Sequence, residues 1–178
     1  FPLETYGIVP INTDVPPNFD FTGLETQTLT LYRSTYLVQP EAKIASHMMH
    51  ELVHSWFGNS VTPRTWSDLW INEGHADFYG LLYRYEKGWA DSRGYTTMAD
   101  RMRYTYAQGD LWRSTSGPVA VPTAATLWDN QRYTGGVLVL YALREKIGEE
   151  AFNRVERTFF AKYRDRSAGT EDYIRIAS

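Results

Sequence analysis

Apolar and polar residues recur with two different periods along this chain, and the places where the period changes mark the elements. Residues 1–20 show neither period. The run VPINTDVPPNFD is rich in Pro, Asn, Asp and Thr, with Pro16 and Pro17 adjacent, and predicts extended chain and turns rather than helix. Over residues 21–36 the run TQTLTLYRSTYL alternates, with β-branched and aromatic residues, and predicts one or two strands. Pro40 ends this region. Residues 41–57 then carry Ile44, Met48, Met49, Leu52, Val53, Trp56 and Phe57, which predicts a long helix, apolar over much of its circumference and therefore buried. Gly58 and Asn59 supply its stop signal.

After the loop SVTPRT, Ser67 or Asp68 is suited to cap a second helix running to about Tyr85. Residues 89–108 predict a further helix interrupted near Gly94, with Arg93, Asp100, Arg101 and Arg103 on its surface face. Residues 109–126, with Gly117, Pro118 and Pro122, read as loop. Helical pattern resumes around Gly135 in VLVLYALREKI, which Gly148 bounds. EEAFNRVERTFFAKY follows as an amphipathic helix opening with acids that suit its N-terminal dipole. Thr170 is placed to cap a short last helix, TEDYIRIA. The chain contains no internal repeat and no low-complexity tract, so the pattern describes a mainly helical protein with one small β region.

Candidate chemistry sits in the second of these elements. His50 and His54 are four residues apart, so on a helix they project from nearly the same face and can hold one metal ion between their imidazoles. Catalytic zinc sites commonly use three protein ligands and keep the fourth position for water, two histidines and one glutamate being an attested set. Glu73, on the following helix, is placed to be the third ligand if that helix packs back over the first. Ionisable residues in so apolar a helix are costly to bury unless they are paired or coordinate a metal, which favours a site over a chance pattern. His47 shares roughly the face of His50, but a catalytic metal needs an open position, so His47 is assigned a packing or supporting role. Asp77, one turn beyond Glu73, is placed to accept the spare N–H of a ligating histidine; the alternative is a solvated surface carboxylate. His75 is given no role.

Composition narrows the picture further. A chain of 178 residues, 43% hydrophobic and 15% aromatic, suits one domain with a substantial core. Its longest clear apolar run, residues 137–143, is far short of the eighteen or so residues needed to span a bilayer. Without cysteine there is no disulfide framework and no thiolate ligand, so any zinc must be held by histidine and carboxylate. A formal charge of -3 and the lack of a basic block argue against nucleic acid as a partner. The chain opens at Phe1 with no signal-peptide pattern and reads as a fragment, so its compartment stays open.

HELVHSWFGNSVT, followed by DLWINEGHADFY, resembles the signature of the M1 aminopeptidase family of zinc metallopeptidases, a branch of the gluzincins: HExxH, eighteen intervening residues, then Glu. The likeness includes WFGN after the second histidine and W-x-N-E-G around Glu73, and runs more weakly over nearly the whole chain. It implies an α+β, mainly helical, thermolysin-like zincin fold with a small β-sheet. It also implies that residues 1–178 are a single metallopeptidase catalytic domain lacking the family's N-terminal β domain and C-terminal helical domain.

The implied cofactor is one Zn2+ per chain, held by His50, His54 and Glu73, and the implied partner is a peptide substrate. Glu51 is then the base that takes a proton from water and later delivers it to the leaving amine. In the family's Gly-x-Met-Glu-Asn strand the Glu is associated with the substrate's free amino group. The matching residues here are Thr22, Gly23, Leu24, Glu25 and Thr26, so only Glu25 fits that frame. Tyr133, in RYTGGVLVLYALREKIG, matches a tyrosine whose phenol helps to stabilise the oxyanion, although Gly135 stands where many relatives carry a basic residue. Most directly this describes an aminopeptidase. A gluzincin endopeptidase, another zinc hydrolase on the same scaffold and a non-catalytic zinc module are the alternatives.

Overall fold

The computed structural model describes residues 1–14 and 21–178, so the adjacent prolines Pro16 and Pro17 lie outside the described residues. Strand β1 (Gly7–Ile11) lies in the segment expected to be extended, and it pairs in parallel with β3 (Leu29–Arg33). The two-residue β2 (Gly23–Leu24) pairs antiparallel with β3 on its other side, giving the order β1-β3-β2. β3 buries Thr30 and Tyr32 and leaves Leu29, Leu31 and Arg33 more open, the period-two pattern of a strand with one face on the core. Residues at the end of the expected strand region instead form a single helical turn, α1 (Ser34–Leu37).

Helix α2 (Glu41–Val53) begins directly after Pro40 and ends a turn earlier than Phe57. Beyond Val53 the bonds shorten to the i−3 type, from Ser55 N–H to the Leu52 carbonyl at 3.0 Å and from Trp56 N–H to the Val53 carbonyl at 2.9 Å. Full burial begins only at His50. Ile44, Met48 and Met49 stay half-buried, so the burial expected of this helix is confined to its last turn. The chain turns through β4 (Val61–Pro63), which pairs in parallel with β5 (Arg166–Ala168).

Helix α3 (Leu69–Glu86) passes through the middle of the fold and buries an unbroken run from Leu69 to Ala76. Asp68 occupies its cap position, but the carboxylate turns back to accept from Thr65 N–H at 3.1 Å and across to accept from Thr170 N–H at 2.7 Å. That second bond ties the start of α3 to the start of α7 (Thr170–Ala177). Thr170 is the first residue of α7 rather than its cap; Gly169 takes the cap position, and its N–H donates to Asp172 at 3.0 Å.

The helix expected over residues 89–108 is present only from Met98 onward, after the expected interruption near Gly94. Asp91 accepts from the N–H groups of Arg93 at 2.8 Å and Tyr95 at 3.0 Å, so its side chain offers the backbone a turn in place of a helix. Helix α4 (Met98–Ser116) starts where Thr97 accepts from Asp100 N–H at 3.1 Å, and it continues through Gly109. Met102, Thr105 and Gly109 share one buried face, so that glycine belongs to a packing surface and does not open a loop. Helices α5 (Thr134–Ile147) and α6 (Glu149–Tyr163) follow the expected pattern on either side of Gly148. Phe57, Trp70, Phe78, Val137, Phe152 and Phe159 are among the residues that form the core where α3, α5 and α6 meet.

Helices α3 and α5 touch through their backbones. A Cβ on Gly136 would stand 2.8 Å from the Gly74 Cα, and one on Gly74 3.0 Å from the Gly136 Cα, with no flexible side chain in between to yield. Gly136→Ala is therefore expected to destabilise the fold by about 1–3 kcal/mol, the usual cost of overpacking. Gly109→Ala, whose Cβ would meet only the end of the Arg113 side chain at 3.3 Å, is expected to be neutral or stabilising. Urea denaturation of both variants checks the contrast, and equal stability of Gly136→Ala and the parent would refute it.

Candidate active site

The last turn of α2 faces the second turn of α3, and three donor groups converge in the gap. His50 Nε2 lies 3.0 Å from His54 Nε2 and 3.4 Å from Glu73 Oε2, and His54 Nε2 lies 3.6 Å from the same oxygen. Tetrahedral ligation with bonds of about 2.0–2.1 Å sets ligand atoms roughly 3.3 Å apart, so this spacing fits one zinc ion with a fourth position left open. All three residues are buried.

The hydrogen bonds on the far side of each ring fix which nitrogen faces the gap. His50 Nδ1 is 2.8 Å from Asp77 Oδ1, and His54 Nδ1 is 3.1 Å from the Phe57 carbonyl and 2.5 Å from Asn72 Oδ1. A carboxylate and a carbonyl only accept, so each Nδ1 carries a proton and each Nε2 turns a lone pair inward. Lone pairs 3.0 Å apart need a positive charge between them. Burial works against a charged His50, but Asp77 and Glu73 outweigh it and hold the imidazole well above the ordinary histidine value, whereas burial and the neighbouring His50 hold His54 below it. A divalent ion held between the two rings would supply that charge.

Glu51 stands beside this group. Its residue is 3% exposed, its Oε2 is buried without a hydrogen-bond partner among the described residues, and burial is the main cause pushing its carboxyl up to about 8. His47 Nε2 is 3.2 Å from Glu51 Oε1, but burial and His50 push His47 down to about 4, so this contact is not an ion pair. The His47 ring stacks on His50 at 5.6 Å and stays outside the three-donor group. The Tyr133 ring lies nearly parallel to His50 at 6.4 Å. Burial, with the surrounding carboxylates, raises the Tyr133 phenol, so it keeps its proton to donate.

Glu25, next to β2, has a carboxylate oxygen within 4.8 Å of ligand atoms of both Glu51 and His54. Burial pushes its carboxyl up, but His54, its own backbone N–H and Asn72 outweigh burial and hold it below the ordinary value. Glu25 is thus an anion at the edge of the donor group. A cavity of about 640 Å³ opens beside Glu25 and Asn72, walled in part by Trp66, Leu69 and Trp128. A second cavity, about 550 Å³, lies behind α2 between Leu52, Trp56, Leu82 and Phe160, away from the donors.

Sequence reasoning brings together His50, His54, Glu73, Glu51, Asp77, Tyr133 and Glu25, and the structure places all seven around one gap. It passes over Asn72. This side chain links His54 Nδ1 to Glu25 Oε1, the latter at 3.5 Å, and it meets the chain at Gly58, where φ is +132° and the side chain of Asn72 fills the space of a Cβ. The W-x-N-E-G pattern contains Asn72, but only the fold reveals its partners. His75, given no role, is fully buried: its Nδ1 is 2.6 Å from the Ile71 carbonyl and its Nε2 3.2 Å from Glu156 Oε2. Glu156 also accepts from Tyr173 at 2.6 Å and Tyr79 at 3.1 Å, so His75 pins α3 to α6 and α7.

Loss of an outer hydrogen-bond partner commonly lowers metal affinity about 10–100-fold. Asp77→Ala, which removes the acceptor at His50 Nδ1, is expected to fall within that range. Asn72→Ala is expected to cost less, because the Phe57 carbonyl still accepts from His54. Competition against a chromophoric chelator measures both; parent-like affinity in Asp77→Ala would remove the supporting role of that carboxylate.

The peptidase family M1 domain matches residues 1–177 of the chain. The chain is 30% identical over 186 residues to glutamyl aminopeptidase of Mus musculus and 30% identical over 159 residues to aminopeptidase N of Lactococcus lactis, covering 97% and 83% of itself. In each case it spans 19% of the relative's length. Among solved structures, an M1 zinc metallopeptidase from Deinococcus radiodurans superposes with a TM-score of 0.75 at 27% identity, over 97% of this chain and 35% of that one. A mutant of that enzyme bound to a Tyr-ser-ala substrate superposes with the same score at 26% identity. With the family's domain matched along almost its whole length, and a fold and donor set that agree with it, this chain belongs to peptidase family M1.

Proposed function

We propose that the protein removes N-terminal residues from peptides by zinc-dependent hydrolysis, and that this chain carries the chemistry as its catalytic domain. The observation that carries the reading is Glu51 Oε2: a buried carboxylate oxygen, without a partner among the described residues, beside three inward-facing metal donors. A non-catalytic metal site has no use for such a group. His50, His54 and Glu73 would hold the ion, which supplies Lewis acidity to polarise the scissile carbonyl and acidify water. Glu51 accepts the proton of the attacking water and delivers it to the departing amine. Tyr133, protonated and alongside His50, donates a hydrogen bond to the oxygen on which negative charge develops.

Glu25 supports the aminopeptidase reading over the endopeptidase one. An ionised, half-buried carboxylate at the edge of the donor group matches a substrate ammonium, and the adjoining cavity accepts the side chain of that first residue. Asn72 holds Glu25 and His54 in a fixed relation, so recognition of the N-terminus and activation of the carbonyl are set by one side chain. The proposed partner is accordingly a peptide with a free amino terminus. No helix among the described residues is long and apolar enough to cross a membrane.

Glu51→Gln is expected to keep its metal and lose about 10²–10⁴ in kcat, because the amide preserves shape and cannot take the proton. Elemental analysis together with steady-state kinetics measures both, and near-parent turnover would overturn the assignment. Glu25→Ala is expected to reduce hydrolysis of free-amino substrates by about 10²-fold or more, as the loss of a desolvated charge partner commonly does. Acetylated counterparts should be poor substrates for parent and variant alike. Equal cleavage of free and acetylated peptides by the parent would leave a metallopeptidase that is not an aminopeptidase.

A further inference from the structure

Arg132, immediately before Tyr133, is completely buried, and its hydrogen bonds run to backbone carbonyl oxygens. Its Nη2 donates to Ser116 at 2.7 Å and to Thr126 at 3.2 Å, and its Nη1 to Val119 at 3.0 Å and to Pro118. The neighbouring Gln131 donates to the Gly117 carbonyl at 3.0 Å. Together the two side chains take up the carbonyls of residues 116–119, which are the end of α4 and the first residues after it. Isolated cations are expensive to bury. Here the guanidinium fork matches the free carbonyls of a helix C-terminus, where the dipole also favours positive charge.

From this cluster the chain runs directly into α5. Tyr133 occupies the cap position of that helix, and the α5 backbone is fixed against α3 by Gly136 and Gly74 three residues later. On its other side the backbone is held at Arg132. Gly135 belongs to the same arrangement, since the Gln131 amide oxygen lies 2.6 Å from where its Cβ would be, so the Gln131 side chain takes the space of one at that position. The Tyr133 phenol therefore projects from a backbone clamped on both sides.

We infer that Arg132 is a positioning residue for Tyr133: by tying residues 116–119 and 126 to the turn ahead of α5, it holds the phenol where it meets the developing oxyanion. The inference rests on the reading of Tyr133 given above. Misplacing a reacting group by about 1 Å can cost on the order of 10²-fold in rate. Arg132→Lys, which keeps the charge and loses the fork, is expected to lower kcat by about 10-fold with KM nearly unchanged, and Arg132→Met by more.

A double-mutant cycle with Tyr133→Phe tests this. Kinetics of the metal-loaded protein are paired with near-UV circular dichroism and metal content, and calorimetry measures the binding of a phosphinic pseudodipeptide that mimics the tetrahedral state. If the inference holds, Arg132→Lys keeps the parent's metal and spectrum, weakens the phosphinic compound in step with kcat, and has less than about a 2-fold effect once Tyr133 is Phe. Equal losses in both backgrounds, or a kcat loss without weaker binding of the phosphinic compound, overturn the inference and leave the role of Tyr133 standing. Parent-like kcat in Tyr133→Phe overturns that role and the inference with it.

Discussion

Two imidazole lone pairs facing each other across 3.0 Å in a protein interior repel unless a positive charge lies between them. Each ring would relieve the conflict by rotating, so each must be held from behind, and in a buried site the holders need fixing in turn. Asp77 holds His50 from α3, while His54 is held by the Phe57 carbonyl and by Asn72. The tightening of the chain after Val53 is part of this arrangement, because it brings the Phe57 carbonyl back over the ring of His54. Gly58, with its positive φ, then leaves room for Asn72.

Helix α3 supplies a ligand, the two side-chain outer partners Asp77 and Asn72, and the residues that fix its own position. Asp68 at its start bonds to Thr170 at the start of α7, and His75 in its middle meets Glu156 on α6. The phenols of Tyr79 and Tyr173 solvate that carboxylate in place of water. Chemistry therefore occupies one face of α3, and the polar contacts that anchor it occupy another.

Much of the site is legible in the sequence because its spacing is local. His50, Glu51 and His54 lie on two consecutive turns, and the recurrence of apolar residues through α2 and α3 is enough to infer that the helices pack. The main helices after Gly135 are legible for the same reason. Residues 89–97 and 109–116 are misread because glycine and cap signals carry no information about partners: Asp91 and Thr97 decide where α4 begins, and the buried face around Gly109 carries it past the expected stop. Asn72, His75 and Arg132 are invisible for a different reason. Their partners lie between 6 and 81 positions away in the chain, or are backbone atoms, and no spacing rule encodes those distances.

The contact between Gly74 and Gly136 makes the separation of α3 from α5 a property of two main chains. Glu73 precedes one glycine and Tyr133 lies three residues before the other, so the offset between carboxylate and phenol does not depend on how neighbouring side chains fill space. Exchanges of similar volume at core positions such as Val137 or Leu140 can then accumulate without altering it. A lineage carrying this pair of glycines is free to drift through its core while the geometry of the reaction stays constant.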